Sequence, residues 1–126
     1  MLEEIIIHQQ EDQPGALAAV GELLGKNGVN IETLAASNHL GDGVIHLVVD
    51  DGDDAGELLK MNGFKVDAVR PVLTVTLDDK PGELGAYCRR LQDAGIDISA
   101  AYVSHKGNGE TELIFAVDDL DAAQRA

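Results

Sequence analysis

The chain has 126 residues and a mass of 13.3 kDa, the size of one ordinary domain or two very small ones. Its 23 acidic residues outnumber 9 basic ones, and the resulting formal charge of −14 repels nucleic-acid phosphate and anionic lipid. There is no Trp, so no aromatic stripe serves base stacking, and the lone Cys88 excludes an intrachain disulfide or a Cys-x-x-Cys metal site.

The opening Met1-Leu2-Glu3-Glu4 lacks the positive n-region of a secretory signal, and Ile5-Ile6-Ile7 is too short for its apolar core. No run approaches the roughly 20 apolar residues of a membrane span. A cytoplasmic protein with neither a membrane nor a nucleic-acid partner is expected. Glu4 to Gln10 is β-branched and strand-like. Pro14-Gly15 follows, with Pro14 suited to a first helical position, and Leu17, Val20 and Leu24 recur at helical spacing. Gly28 stops that helix as the C′ residue. A second strand runs from Val29 to about Asn38, Gly41-Asp42-Gly43 turns the chain, and Val44 to Val49 return it. Asp53 reads as the cap of a helix through Leu58, Leu59 and Met61, stopped by Gly63. Phe64 to Val69 make a fourth strand, and Pro71, which cannot donate to a ladder, marks a joint.

The chain then repeats itself. Asp12-Gln13-Pro14-Gly15-Ala16-Leu17 returns 67 residues later as Asp79-Lys80-Pro81-Gly82-Glu83-Leu84. Gly28-Val29-Asn30-Ile31 returns at the same offset as Gly95-Ile96-Asp97-Ile98, and Ser37 as Ser104. Leu73, Val75 and Leu77 alternate with Thr74, Thr76 and Asp78, the period of a half-buried strand. Leu84, Tyr87 and Leu91 match the first helix, and Gly107-Asn108-Gly109 matches the hairpin. The pairs Asp50-Asp51 and Asp118-Asp119 stand 68 apart, so one residue is inserted, and a hairpin tip is the natural place for it.

The order strand, helix, strand, strand, helix, strand is the ferredoxin-like βαββαβ unit. The expected fold is α+β: two tandem units, residues 1–71 and 72–126, each an antiparallel sheet with helices on one face. The second unit stops inside its second helix and lacks its last strand. Either the chain was shortened or a partner strand fills the gap. Open sheet edges and thin cores of some 60 residues per unit favour at least a homodimer.

A βαββαβ unit with Asp-x-Pro-Gly-x-Leu at its first helix and Gly-[Val/Ile]-[Asn/Asp]-Ile at its second strand resembles the ACT domain family. The resemblance covers nearly the whole chain twice and is greatest to stand-alone tandem ACT proteins. It implies a regulatory module that binds an amino acid at contacts between units, near the first strand–helix turn and the start of the second strand. By motif position it implies Asp12, Gln13, Gly15, Ala16, Leu17, Asn30 and Ile31 in the first unit. In the second it implies Asp79, Lys80, Gly82, Glu83, Leu84, Asp97 and Ile98. Some members have Asn two residues before Pro, where this chain has Asp in both copies. Independent physics supports such a site: free N–H groups and the helix dipole around Gly15 to Leu17 favour a carboxylate, and Asn30 offers donors and acceptors.

Plainer readings stand beside these. Asp12 and Asp79 could each cap their own helix, and Gly15 and Gly82 could serve backbone geometry alone. His8 and His46 fall on neighbouring strands, but two histidines without a placed third ligand make a poor metal site. Cys88 reads as a small buried hydrophobe. The acidic run from Asp50 to Glu57 fails as a calcium loop, because its twelfth position from Asp51 is Asn62. No Gly-x-Ser-x-Gly or His-Glu-x-x-His motif is present, so neither a catalytic residue nor a metal ligand is assigned and no cofactor is called for. The expected function is amino-acid sensing without catalysis. The alternatives are a ligand-free dimerisation module and, behind it, a metal-sensing domain.

Overall fold

The computed structural model describes residues 1–9, 14–39 and 41–126, and it divides the chain into two compact units, Met1–Arg70 and Pro71–Ala126. In the first unit β1 (Leu2–Gln9), α1 (Ala16–Lys26), β2 (Ile31–His39), β3 (Asp42–Asp50), α2 (Gly52–Met61) and β4 (Lys65–Pro71) follow in order. In the second, β5 (Leu73–Asp78), α3 (Glu83–Asp93), β6 (Ile98–Gly107), β7 (Glu110–Val117) and α4 (Leu120–Arg125) repeat the plan. The sheets have strand orders β2-β3-β1-β4 and β5-β7-β6. This is the expected pair of α+β units, with four strands in one sheet and three in the other. The pairs β1·β3, β2·β3, β5·β7 and β6·β7 are antiparallel.

Each unit has its own core. Ile5, Ile7, Ile45, Leu47 and Val49 of the first sheet bury one face against Val20, Leu24, Ala55 and Leu59 of its helices. In the second, Leu73, Leu113 and Phe115 meet Tyr87, Leu91 and Ala123, with Val75 and Leu77 partly buried beside them. The period of two read from Leu73 to Leu77 is therefore the buried face of β5. Tyr87 and Phe115 stack at 5.4 Å between ring centroids. Leu17 and Leu84 do not join the cores: they are 42% and 50% exposed. Cys88 is half-buried against the second core.

The glycines close the helices as expected. Gly28 and Gly95 take φ of 75° and 76°, and the N–H groups of Val29 and Ile96 reach back to Leu24 and Leu91 in Schellman caps. The starts differ from expectation. Gly15 and Gly82 are the N-caps of α1 and α3, at φ of 94° and 91°, so Pro14 and Pro81 precede the helices rather than opening them. A left-handed cap accepts glycine and strains any other residue. For α2 the N-cap is Asp51, not Asp53, which lies in the first turn where the dipole favours its charge.

The inserted residue does not lie in a hairpin tip. In the second unit Asn108 and Gly109, both at positive φ, form the two-residue turn between the paired Gly107 and Glu110. The extra residue is instead a bulge in β6: Val103 faces Leu113 and His105 faces Glu112, leaving Ser104 unpaired in the ladder. Its hydroxyl hydrogen-bonds the Glu112 carboxylate at 2.7 Å, which gives the bulge a polar anchor.

Candidate functional site

The two ends of the first unit carry opposite chemistry. Strand β1 delivers the chain to one end, where α1 begins. There a cavity of about 260 Å³ is lined by Ile7, His8, Gln9, Ala16, Ile45, Gly63, Phe64 and Lys65. Its walls are the buried ends of two strands and Phe64 from the link between α2 and β4. Its polar lining is His8, Gln9 and Lys65, and the first N–H groups of α1 lie beside it, where the N-cap Gly15 offers no side chain to them. Across the first turn of α1 lies a second depression of about 210 Å³, bordered by Leu17 and by Ala36 to Asn38 of β2.

At the other end α1 stops and β2 starts. A groove of about 640 Å³ there is lined by Asn27, Asn30, Glu32, Asp50, Asp51 and Asp54, among others. A hydrogen bond with Asp51 and the charge of that neighbour push the Asp54 carboxyl above its ordinary range. Asp50 moves the other way, because the terminal amine hydrogen-bonds it at 3.0 Å. This end suits a cation and opposes a carboxylate.

The residues singled out in the sequence therefore separate. Asp12 and Gln13 lie outside the described residues. Gly15, Ala16 and Leu17 stand at the start of α1, whereas Asn30 lies in the acidic groove, one 11-residue helix away. At 1.5 Å per residue that is about 16 Å, too far for one amino acid to touch both ends within a unit. Ile31 and Ile98 lean on their cores. In the second unit Asp79 does not cap α3. Its carboxylate meets Lys106 at 3.2 Å, and α3 has no side-chain cap. Lys80 is exposed, Glu83 occupies the first turn of α3, and Leu84 projects outward. The Asp97 N–H donates to Asp118 Oδ1 at 2.9 Å, a bond that ties β6 to the end of β7.

On the sheet face away from the helices, β1, β3 and β4 carry an ionic row of which only His8 and His46 were singled out in the sequence. The fully buried Glu4 accepts from Arg70 Nε at 2.6 Å and faces His46 Nδ1 at 3.3 Å. His8 stands between Asp42 at 2.8 Å and Asp67 at 3.6 Å. Each imidazole thus faces carboxylates, and no group of three metal-ligand side chains is arranged to hold an ion among the described residues. The cavity walls Ile45, Phe64 and Lys65 were also not singled out. Phe64, one of two Phe in the chain and directly after a helix-ending glycine, was the available signal.

The model of the ACT domain pair matches residues 3–126. No protein of curated function matches the chain in sequence. Among solved structures, protein BT0572 from Bacteroides thetaiotaomicron superposes with a TM-score of 0.83 at 24% identity, over 98% of this chain and 83% of that one. The ligand-free regulatory subunit of aspartate kinase from Thermus thermophilus gives 0.75 at 18% identity, over 98% and 89%. The corresponding subunit from Thermus flavus gives 0.71 at 19%, over 98% and 88%. No helix among the described residues is long and apolar enough to cross a membrane.

Proposed function

This chain belongs to the ACT domain family as an ACT domain pair, and from that membership we propose that it is a regulatory, non-catalytic protein that binds a free α-amino acid. The observation that carries the reading is the contrast between the two ends of the first unit. The start of α1 offers N–H groups and a lysine to a carboxylate. The groove at Asn30 offers carboxylates and an amide oxygen to an ammonium. A zwitterion that uses both ends needs two units, so the ligand belongs at a contact between ACT units of two copies of the chain. The homodimer this requires is favoured by β2, an edge strand whose residues from Leu34 to His39 are all exposed. Charge-assisted hydrogen bonds contribute about 1.5–3 kcal/mol each, so three or four reach the roughly 8 kcal/mol of micromolar binding.

The similar Thermus structures are regulatory subunits of an enzyme, which supports a regulatory role here and a target on another polypeptide. A thermal-shift screen against the standard amino acids tests the reading. A ligand at a hundred times its Kd stabilises the native state by about 2.7 kcal/mol, a rise of several degrees for units of this size. Light scattering should give twice 13.3 kDa. A dimer that no amino acid stabilises would leave the ligand-free dimerisation module in place.

A further inference from the structure

We infer that the first unit takes the ligand's side chain into the cavity beside α1, so that the protein selects an amino acid with a branched aliphatic side chain, one such ligand per chain. The inference rests on the regulatory reading above and names its ligand class. Cavity size is the first argument. About 260 Å³ falls below the roughly 300–1,000 Å³ of clefts that hold drug-sized molecules and suits a single amino-acid side chain. Its lining is the second. Ile7 and Ile45 are almost fully buried, Phe64 packs on the same core, and the small Ala16 completes the apolar part of the lining. A hydroxyl or an ammonium set against Ile7, Ile45 and Phe64 would lose water and find no partner on those three side chains, which costs affinity. Of the polar residues on the lining, His8 is engaged by Asp42 and Asp67, whereas Lys65 makes no ion pair with any described carboxylate. A carboxylate beside Lys65 and an aliphatic chain against Ile7, Ile45 and Phe64 match these residues.

The second unit explains the count of one. Cross-strand register equates Ile7 with Val75 and Ile45 with Leu113, and the repeat equates Ala16 with Glu83. Glu83 puts a carboxylate on the first turn of α3, where the ligand's own would have to sit. No described strand takes the place of β4 beside β5.

The test is calorimetric titration of the full chain with L-leucine, L-threonine and L-lysine, repeated on Ala16→Glu and Phe64→Ala. Leucine should bind at least about tenfold tighter than either polar amino acid, the discrimination that buried methylenes give in an apolar pocket. The stoichiometry should be one per chain. Ala16→Glu should lower leucine affinity about tenfold or more. Its melting temperature should hold, because a first-turn glutamate suits the helix dipole. Phe64→Ala should cut the preference for leucine over threonine. Tighter binding of threonine or lysine, two leucines per chain, or undiminished binding by Ala16→Glu would each overturn the inference and leave the regulatory reading standing. No heat with any of the twenty standard amino acids would overturn both.

Discussion

Where the first unit buries the Glu4 carboxylate between Arg70 and His46, the second has Val72 and Ile114. Where α1 starts with Ala16, which lines the cavity together with Phe64, α3 starts with Glu83. The helix stops, the left-handed caps and the apolar core positions agree between the units almost residue for residue. Duplication has preserved what the backbone and the cores require. The polar groups at Glu4, His46 and Glu83 are not shared, which is expected when only one unit carries a ligand and the other keeps the fold. Six substitutions can break or sharpen that comparison.

The largest effect belongs to the cores. Phe115→Ala removes the ring stacked on Tyr87 and should cost about 3–5 kcal/mol, and Leu47→Ala, its register counterpart, about 2–5. Denaturant titration reads both. Similar losses would show two cores of equal standing, whereas a loss below 1 kcal/mol in either would show that core to be loosely packed. Next is the difference in the ionic row. Glu4→Leu removes the buried carboxylate that Arg70 and His46 face and should cost about 1–3 kcal/mol. A neutral outcome would mean that the apolar solution at Val72 serves equally well, as replaced buried ion pairs sometimes do.

Gly15→Ala and Gly82→Ala should each cost about 1–2 kcal/mol, and the two costs should be equal. A Cβ at either position meets no described residue within 4 Å, so backbone strain near φ of +90° is the effect expected. Unequal costs would show that the two caps are not equivalent. The smallest effect is at the acidic end. Asp54 is raised from its ordinary 3.8, so its charged form is disfavoured in the fold. For a raised acid, stability is fully present below the unfolded value and is lost as pH rises through the folded one. Asp54→Asn should therefore raise the melting temperature slightly at pH 7 and leave it unchanged below 3.8. A rise that persists in acid would assign it to something other than charge.

Much of this fold was legible because repeats, glycine stops and apolar periods each follow from local rules that hold in both copies. Gly28 and Gly95 could be read as C′ residues since a positive φ there leaves few other choices. The bulge at Ser104 could not be placed, because an offset of one says that a residue was added but not where the ladder absorbs it. The site was half legible. Gly15 to Leu17 announce a helix start, but the walls of the cavity come from β1, β3 and the link before β4, which only the assembled sheet brings together. The separation of Asn30 from that start is likewise a fact of topology: a helix runs between them.

Amide chemical-shift mapping with L-leucine tests the central claim, a ligand held by the first unit at the start of α1, most directly. The account predicts saturable shifts at Ala16, Leu17, Ile45 and Phe64, with Glu83, Leu84 and Leu113 unmoved. Equal shifts at the matched positions of both units, or shifts confined to the second, would contradict it.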